Sequence, residues 1–117
     1  MPKLETIEKF ISMVESNEHD KAIEKFYTED ASMQENQSPQ RVGRNLLVAN
    51  EQNVLAKVKS LFSKCIRPVF INEDLVVIQW YFKFEWKDGT VSEIEEIAYQ
   101  NWEGEFIKKE KFFYDPK

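Results

Sequence analysis

Glu96 and Glu110 are the residues of this chain whose type and setting could do chemistry. Both lie among aromatic side chains in a C-terminal stretch that alternates like β-structure. Two carboxyls on facing strand positions in an apolar pocket cannot both ionise cheaply. Desolvation and mutual repulsion each raise a carboxyl pKa, so the pair can share one proton. The ionised member could then remove a proton beside a carbonyl, while the protonated member donates a hydrogen bond to the developing enolate. Tyr27 or Tyr114 could add a second donor. A structural reading competes: both glutamates could pair with lysines at a rim, such as Lys108, or lie in water.

Other polar residues carry weaker signals. Gln34 and Asn36 share one face of a short strand and Glu35 takes the other. Either set could reach a pocket or simply hold a turn. Asn50 falls on an apolar helical stripe where a leucine is expected. It could point its carboxamide into a cavity or satisfy a backbone group, and Gln100 has the same ambiguity. His19 is the only histidine. It lies in a polar segment at a helix start and is expected in solvent. One histidine with scattered acids gives no metal-ligand pattern, so no metal site is expected. Cys65 is the sole cysteine and reads as a small buried hydrophobe rather than a nucleophile. No serine has the strand–turn–helix setting of a hydrolase nucleophile. With three glycines there is no phosphate-binding loop, and no cofactor is expected.

Charge and hydropathy narrow the partners. The net charge is −5, with 32% charged residues. The densest basic group, Lys108, Lys109 and Lys111, is interrupted by Glu110, so nucleic acid is not an expected partner. No apolar run approaches the roughly 20 residues that span a bilayer, and the N-terminus lacks a signal-peptide pattern. A soluble, cytoplasmic protein with no membrane partner is the expectation. The 117 residues, 42% hydrophobic, suit one domain with a real core, here residues 1–117.

The elements that must position these residues are legible from periodicity. Leu4, Ile7, Phe10, Ile11 and Val14 predict a helix from about Lys3 to Ser16. Asn17 is expected to cap a second helix, with Ala22, Ile23, Phe26 and Tyr27 on one face. A strand follows from Ala31 to Asn36, then a loop to Gly43. Leu47, Val54, Val58, Leu61 and Phe62 predict a third helix from about Arg44 to Phe62. Next come a strand around Pro68, at an edge or bulge, and three long strands joined by turns at Asp88-Gly89 and Glu103-Gly104. This order is an α+β plan, with three helices on one face of a curved, mostly antiparallel sheet.

Strand phase decides what faces the helices. Val76, Ile78, Trp80, Phe82, Phe84 and Trp86 form a wholly apolar set and should face inward. Two-residue and three-residue turns compete at each glycine. The favoured reading is a three-residue loop at both, which pairs Trp80 with Glu96 and Glu96 with Glu110. It sends Ile94, Glu96, Ala98 and Gln100 inward, with Phe106, Glu110, Phe112 and Tyr114 on the next strand.

The segments FYTEDASMQEN (26–36), PQRVGR (39–44) and QNWEGEFIKKEKFFYDP (100–116) complete a chain that resembles the nuclear transport factor 2-like superfamily. Within it, the resemblance is to SnoaL-like proteins, relatives of ketosteroid isomerases. The resemblance implies a cone, a bent sheet wrapped around three helices with a pocket at its open end. It also implies a pocket carboxyl that moves a proton next to a carbonyl. By strand position Glu110 resembles the cyclase acid/base and Glu96 stands near its polar partner. This chain has glutamates where the cyclases have an aspartate and a histidine.

The expected site therefore has Glu110 and Glu96 as acid and base. Tyr27, Asn50, Trp80, Phe82, Phe84, Gln100, Phe112 and Tyr114 would bind a small apolar molecule. A non-catalytic binder, or a dimerisation module with a filled cone, is the alternative. The outer sheet face, with Leu75, Val77, Tyr81, Ile97, Tyr99 and Phe113, is more apolar than a solvated face needs. A homodimer through it is expected, as is common in the family.

Overall fold

The first helix, α1 (Leu4–Glu15), forms where the apolar spacing predicts, and its Ile7, Phe10, Ile11 and Val14 are buried. The computed structural model describes residues 1–116. Asn17 adopts a left-handed conformation, φ 66°, which asparagine tolerates better than most residues. It does not cap α2 (His19–Phe26); Glu18 takes that position. Tyr27 does not extend the face of α2 either. The helix ends at Phe26, and Tyr27 begins β1 (Tyr27–Glu35), which starts earlier than Ala31.

After β2 (Arg41–Val42), α3 runs only from Arg44 to Leu55, not to Phe62. Val54, Val58 and Leu61 recur at helical spacing, yet Val58 already begins β3 (Val58–Asn72). The sheet overrides the helical spacing here: Val58 pairs with Trp86, and Lys87 N–H donates to the Lys57 carbonyl at 2.9 Å. Pro68 lies where the β3 register shifts, on a strand at the sheet edge, as its missing N–H requires.

β4 (Leu75–Trp86), β5 (Val91–Glu103) and β6 (Phe106–Phe113) complete one sheet of order β2-β1-β6-β5-β4-β3. Only the β1–β6 pair is parallel. Val76, Ile78, Trp80, Phe82 and Phe84 are buried in one cluster with the apolar faces of α1 and α2 and with Leu47 of α3. The fold is α+β, with three helices against the inner face of a curved, open, six-stranded sheet.

The two hairpins differ. Lys87–Gly89 make the expected three-residue loop: Trp86 N–H donates to the Thr90 carbonyl at 2.9 Å and Gly89 takes φ 91°. Trp80 accordingly pairs with Glu96. The second turn has two residues, Gly104 and Glu105, between paired Glu103 and Phe106, with Gly104 at φ 62°. Glu96 therefore does not pair with Glu110; Gln100 does. A two-residue turn alone would aim Glu110 outward. The register shifts past Trp102, which pairs with Ile107 while Asn101 pairs with Lys109, leaving Lys108 as an extra residue. This bulge restores the phase and turns Glu110 inward. The two-residue turn itself pairs Ile107 with Trp102 and makes Ile107 the buried residue at the hairpin, whereas Phe106 is 47% exposed rather than inward.

This register has a direct stability consequence. Ile107→Ala should cost about 2–5 kcal/mol in urea unfolding, as for a fully buried aliphatic. Phe106→Ala should cost less than about 1 kcal/mol. The reverse ranking would mean that the hairpin is paired differently.

Candidate functional site

A cavity of about 270 Å³ opens between the inner sheet face and the helices. Trp80, Phe82 and Phe84 of β4 form one wall, with Trp80 stacked on Phe82 at 5.6 Å. Phe10, Val14 and Ile23 from α1 and α2 close the other side, and Asn50, Glu51 and Val54 of α3 contribute further. Strand alternation puts the rings here, and helical spacing supplies the facing side chains.

Into this apolar space project Glu110 of β6 and Glu96 of β5. Glu110 is 3% exposed. Tyr27 Oη donates to its Oε1, and Gln100 Nε2 donates to its Oε2 at 2.6 Å. Gln100 is itself held, since Trp102 Nε1 donates to its Oε1 at 3.0 Å. The chain Trp102–Gln100–Glu110–Tyr27 thus fixes the carboxyl in position. Lys108 is not its partner: that ammonium binds Asp30 at 2.5 Å. Glu96 has no hydrogen bond or ion pair to another described residue.

Burial pushes the Glu110 carboxyl up to about 7, against the opposing pull of the Tyr27 and Gln100 hydrogen bonds. Burial, then the charge of Glu110, pushes Glu96 up to about 8, with Glu35 and Glu51 adding to it. Burial beside Glu110 also raises the Tyr27 hydroxyl well above its ordinary value, so Tyr27 stays a donor. Two donors favour ionised Glu110 and none favours ionised Glu96, so Glu110 is the member that gives up its proton first. Between the two ionisations the cavity holds an ionised base and a neutral acid together.

Most of the residues singled out in the sequence meet in this cavity. Tyr27, Trp80, Phe82, Phe84, Phe112 and Tyr114 line it, as do Asn50, Glu96 and Glu110. Gln100 does not; it is fully buried behind Glu110 and orients it. Asn36 accepts the Tyr114 backbone N–H at 3.0 Å, and Gln34 donates to the Ser38 carbonyl at 2.9 Å, so both hold strand ends. Glu35 reaches the cavity and lies 3.7 Å from Arg41. Cys65 is buried and its thiol is pushed up by desolvation.

His19 corrects the expectation of solvent exposure: it is 9% exposed, lines the cavity, and packs on Phe82 at 5.1 Å. A signal for it existed. His19, Ala22, Ile23 and Phe26 have the spacing of one helical face, as do Leu47, Asn50, Glu51 and Val54. Polar residues on those faces go where the faces go.

No family model and no curated protein sequence matches the chain. Solved structures do. A protein assigned as a SnoaL-like polyketide cyclase from Mesorhizobium loti superposes with TM-score 0.80 at 18% identity, covering 97% of this chain and 100% of that one. A protein from Catenulispora acidiphila with a ketosteroid isomerase-like fold, in complex with trimethylamine, gives 0.79 at 13%, covering 97% and 88%. A nuclear transport factor 2-like protein from Cytophaga hutchinsonii gives 0.75 at 13%, covering 94% and 96%.

The fold is the nuclear transport factor 2-like, SnoaL-like fold. Within that fold, the β5–β6 hairpin delivers Glu110 to the hollow of the cone, and the helices close over it.

The raised carboxyls tie stability to pH. An unfolded glutamate ionises near 4.5, whereas folded Glu110 and Glu96 keep their protons to about 7 and about 8. Folding binds protons in that window, so stability is fullest below about pH 4.5 and falls as pH rises through 7 and 8. Each group should account for about 3–5 kcal/mol of that loss. Urea titrations across this range should show a clear decline that Glu96→Gln makes shallower. Parallel profiles for the two proteins would contradict the assignment. Carboxyls that are lowered, such as Glu8 beside Arg67, titrate below the window.

Proposed function

We propose that the chain binds a small, largely apolar carbonyl compound and moves a proton next to the carbonyl, with Glu110 as base and Glu96 as neutral donor. The observation that carries this reading is the buried Glu110 carboxyl, held by Tyr27 and Gln100 at the edge of an aromatic cavity that also contains Glu96. An ionised carboxylate retains free lone pairs beyond the two that Tyr27 and Gln100 occupy. A base that titrates near neutrality suits proton abstraction at ordinary pH. Glu96, still protonated where Glu110 is ionised, can donate to the oxyanion that develops on the carbonyl oxygen. The reaction needs nothing beyond these side chains, so we infer no cofactor.

A second reading is a non-catalytic binder of a small organic cation. It is favoured by the aromatic walls combined with Glu35, Glu51, Glu96 and Glu110, and by the trimethylamine complex of the Catenulispora protein. A cone filled by its own side chains fits poorly with about 270 Å³ of open space. For assembly, we propose a homodimer through the outer sheet face, where Tyr99 and Phe113 are each 40% exposed. Among the described residues, no helix is long and apolar enough to cross a membrane.

Hydrogen–deuterium exchange at the α-carbons of small apolar ketones tests the proton-transfer reading without knowledge of the natural substrate. The chain should accelerate exchange, and Glu110→Gln should lower the rate by at least about a hundredfold. Exchange unaffected by Glu110→Gln, or tight retention of small amines with no exchange, would favour the binder.

A further inference from the structure

Beside the cavity lies a second polar assembly, built from α2, α3 and β3. His19 Nε2 lies 2.8 Å from Ser63 Oγ, and His19 Nδ1 lies 3.4 Å from Glu51 Oε1. The order Glu–His–Ser resembles a nucleophilic triad, but the hydrogen bonds exclude one. Asn17 Nδ2 donates to the Leu61 carbonyl at 2.9 Å, which fixes the amide and leaves Oδ1 facing Ser63. Ser63 Oγ donates its only proton to that Oδ1 at 2.8 Å. Ser63 must therefore accept from His19, so Nε2 carries a proton. Nδ1 then faces a carboxylate. Ser63 is 6% exposed and spoken for on both sides; it is no nucleophile.

We propose that His19, fixed by Ser63 and packed on Phe82, positions the Glu51 carboxylate so that its second oxygen is an acceptor at the cavity for a hydroxyl group on the ligand. Glu51 lines the cavity, and its Oε2 makes no hydrogen bond to another described residue. Along β4, Trp80 pairs with Glu96, and Phe82, the next inward residue, carries the His19 ring. Glu96 and the His19–Glu51 assembly thus stand against successive inward residues of β4, which are about 7 Å apart along the strand. The ligand class is a hydroxylated, flat, otherwise apolar carbonyl compound. This inference rests on the proposed function for the carbonyl end only.

Two measurements test it. Because His19 is the only histidine, ¹⁵N NMR of histidine-labelled protein reports one ring. Nε2 should carry a proton, and Glu51→Gln should move the Nδ1 signal while leaving Nε2–H. The second uses 4-hydroxyacetophenone and acetophenone as probes. The hydroxy ketone should bind the wild-type chain about tenfold more tightly, and Glu51→Gln should bring the two affinities together. A bare Nε2, an Nδ1 signal unmoved by Glu51→Gln, equal affinities for the two ketones, or binding of neither overturns the proposal. Failure of the proton-transfer reading looks different: α-exchange is absent while the hydroxyl preference and its loss in Glu51→Gln persist.

Discussion

A carboxyl removed from water is the constraint around which the rest of this fold is arranged. Glu110 is nearly inaccessible, and its only partners are a phenol and a carboxamide, neither of which carries a compensating charge. An unpaired buried carboxylate is costly, so the group keeps its proton to near neutral pH. The protein could have lowered that cost with a lysine. It has one on the same strand, Lys108, and spends it on Asp30 at the surface. What the site keeps is a carboxyl able to change protonation state at ordinary pH, which a salt bridge would prevent.

The backbone feature behind this is the bulge at Lys108. The two-residue turn at Gly104-Glu105 would leave Glu110 on the outer face, and one unpaired residue reverses that. Gln100, which pairs with Glu110 across the strands, then reaches its carboxyl, while Tyr27 arrives from the start of β1. The bulge lets Ile107, paired with Trp102, and Glu110, paired with Gln100, both face inward although they are three residues apart. Packing and chemistry share that phase, because loss of the bulge would turn Glu110 outward and, with it, Phe112, which packs against the core.

The sequence made the inner face of β4 plain, because Val76 to Trp86 alternates without a polar exception. It made the first hairpin plain as well, since only one loop length sends Glu93 and Glu95 outward together. The second hairpin was not legible in detail. The three-residue loop and the turn-plus-bulge both send Glu110 inward, so face alternation could not separate them, although they give Glu110 different partners. The end of α3 was hidden for a related reason: Val54, Val58 and Leu61 suit both a helix and a helix–strand junction, and pairing with β4 decides it. His19 and Glu51 were legible in principle from their helical faces. Their polarity masked a spacing that would have been read at once for leucines.

The two carboxyls in the cone differ in what holds them, and that difference separates their roles. Glu110 is anchored by donors that favour its ionised form, and Glu96 has none. Site-resolved ¹³C NMR titration of the glutamate carboxyls tests this most directly. The account predicts that Glu110 titrates at about 7 and Glu96 at about 8, and that Glu110→Gln draws Glu96 toward the ordinary value. Both carboxyls titrating at about 4.3, as in open water, would contradict it.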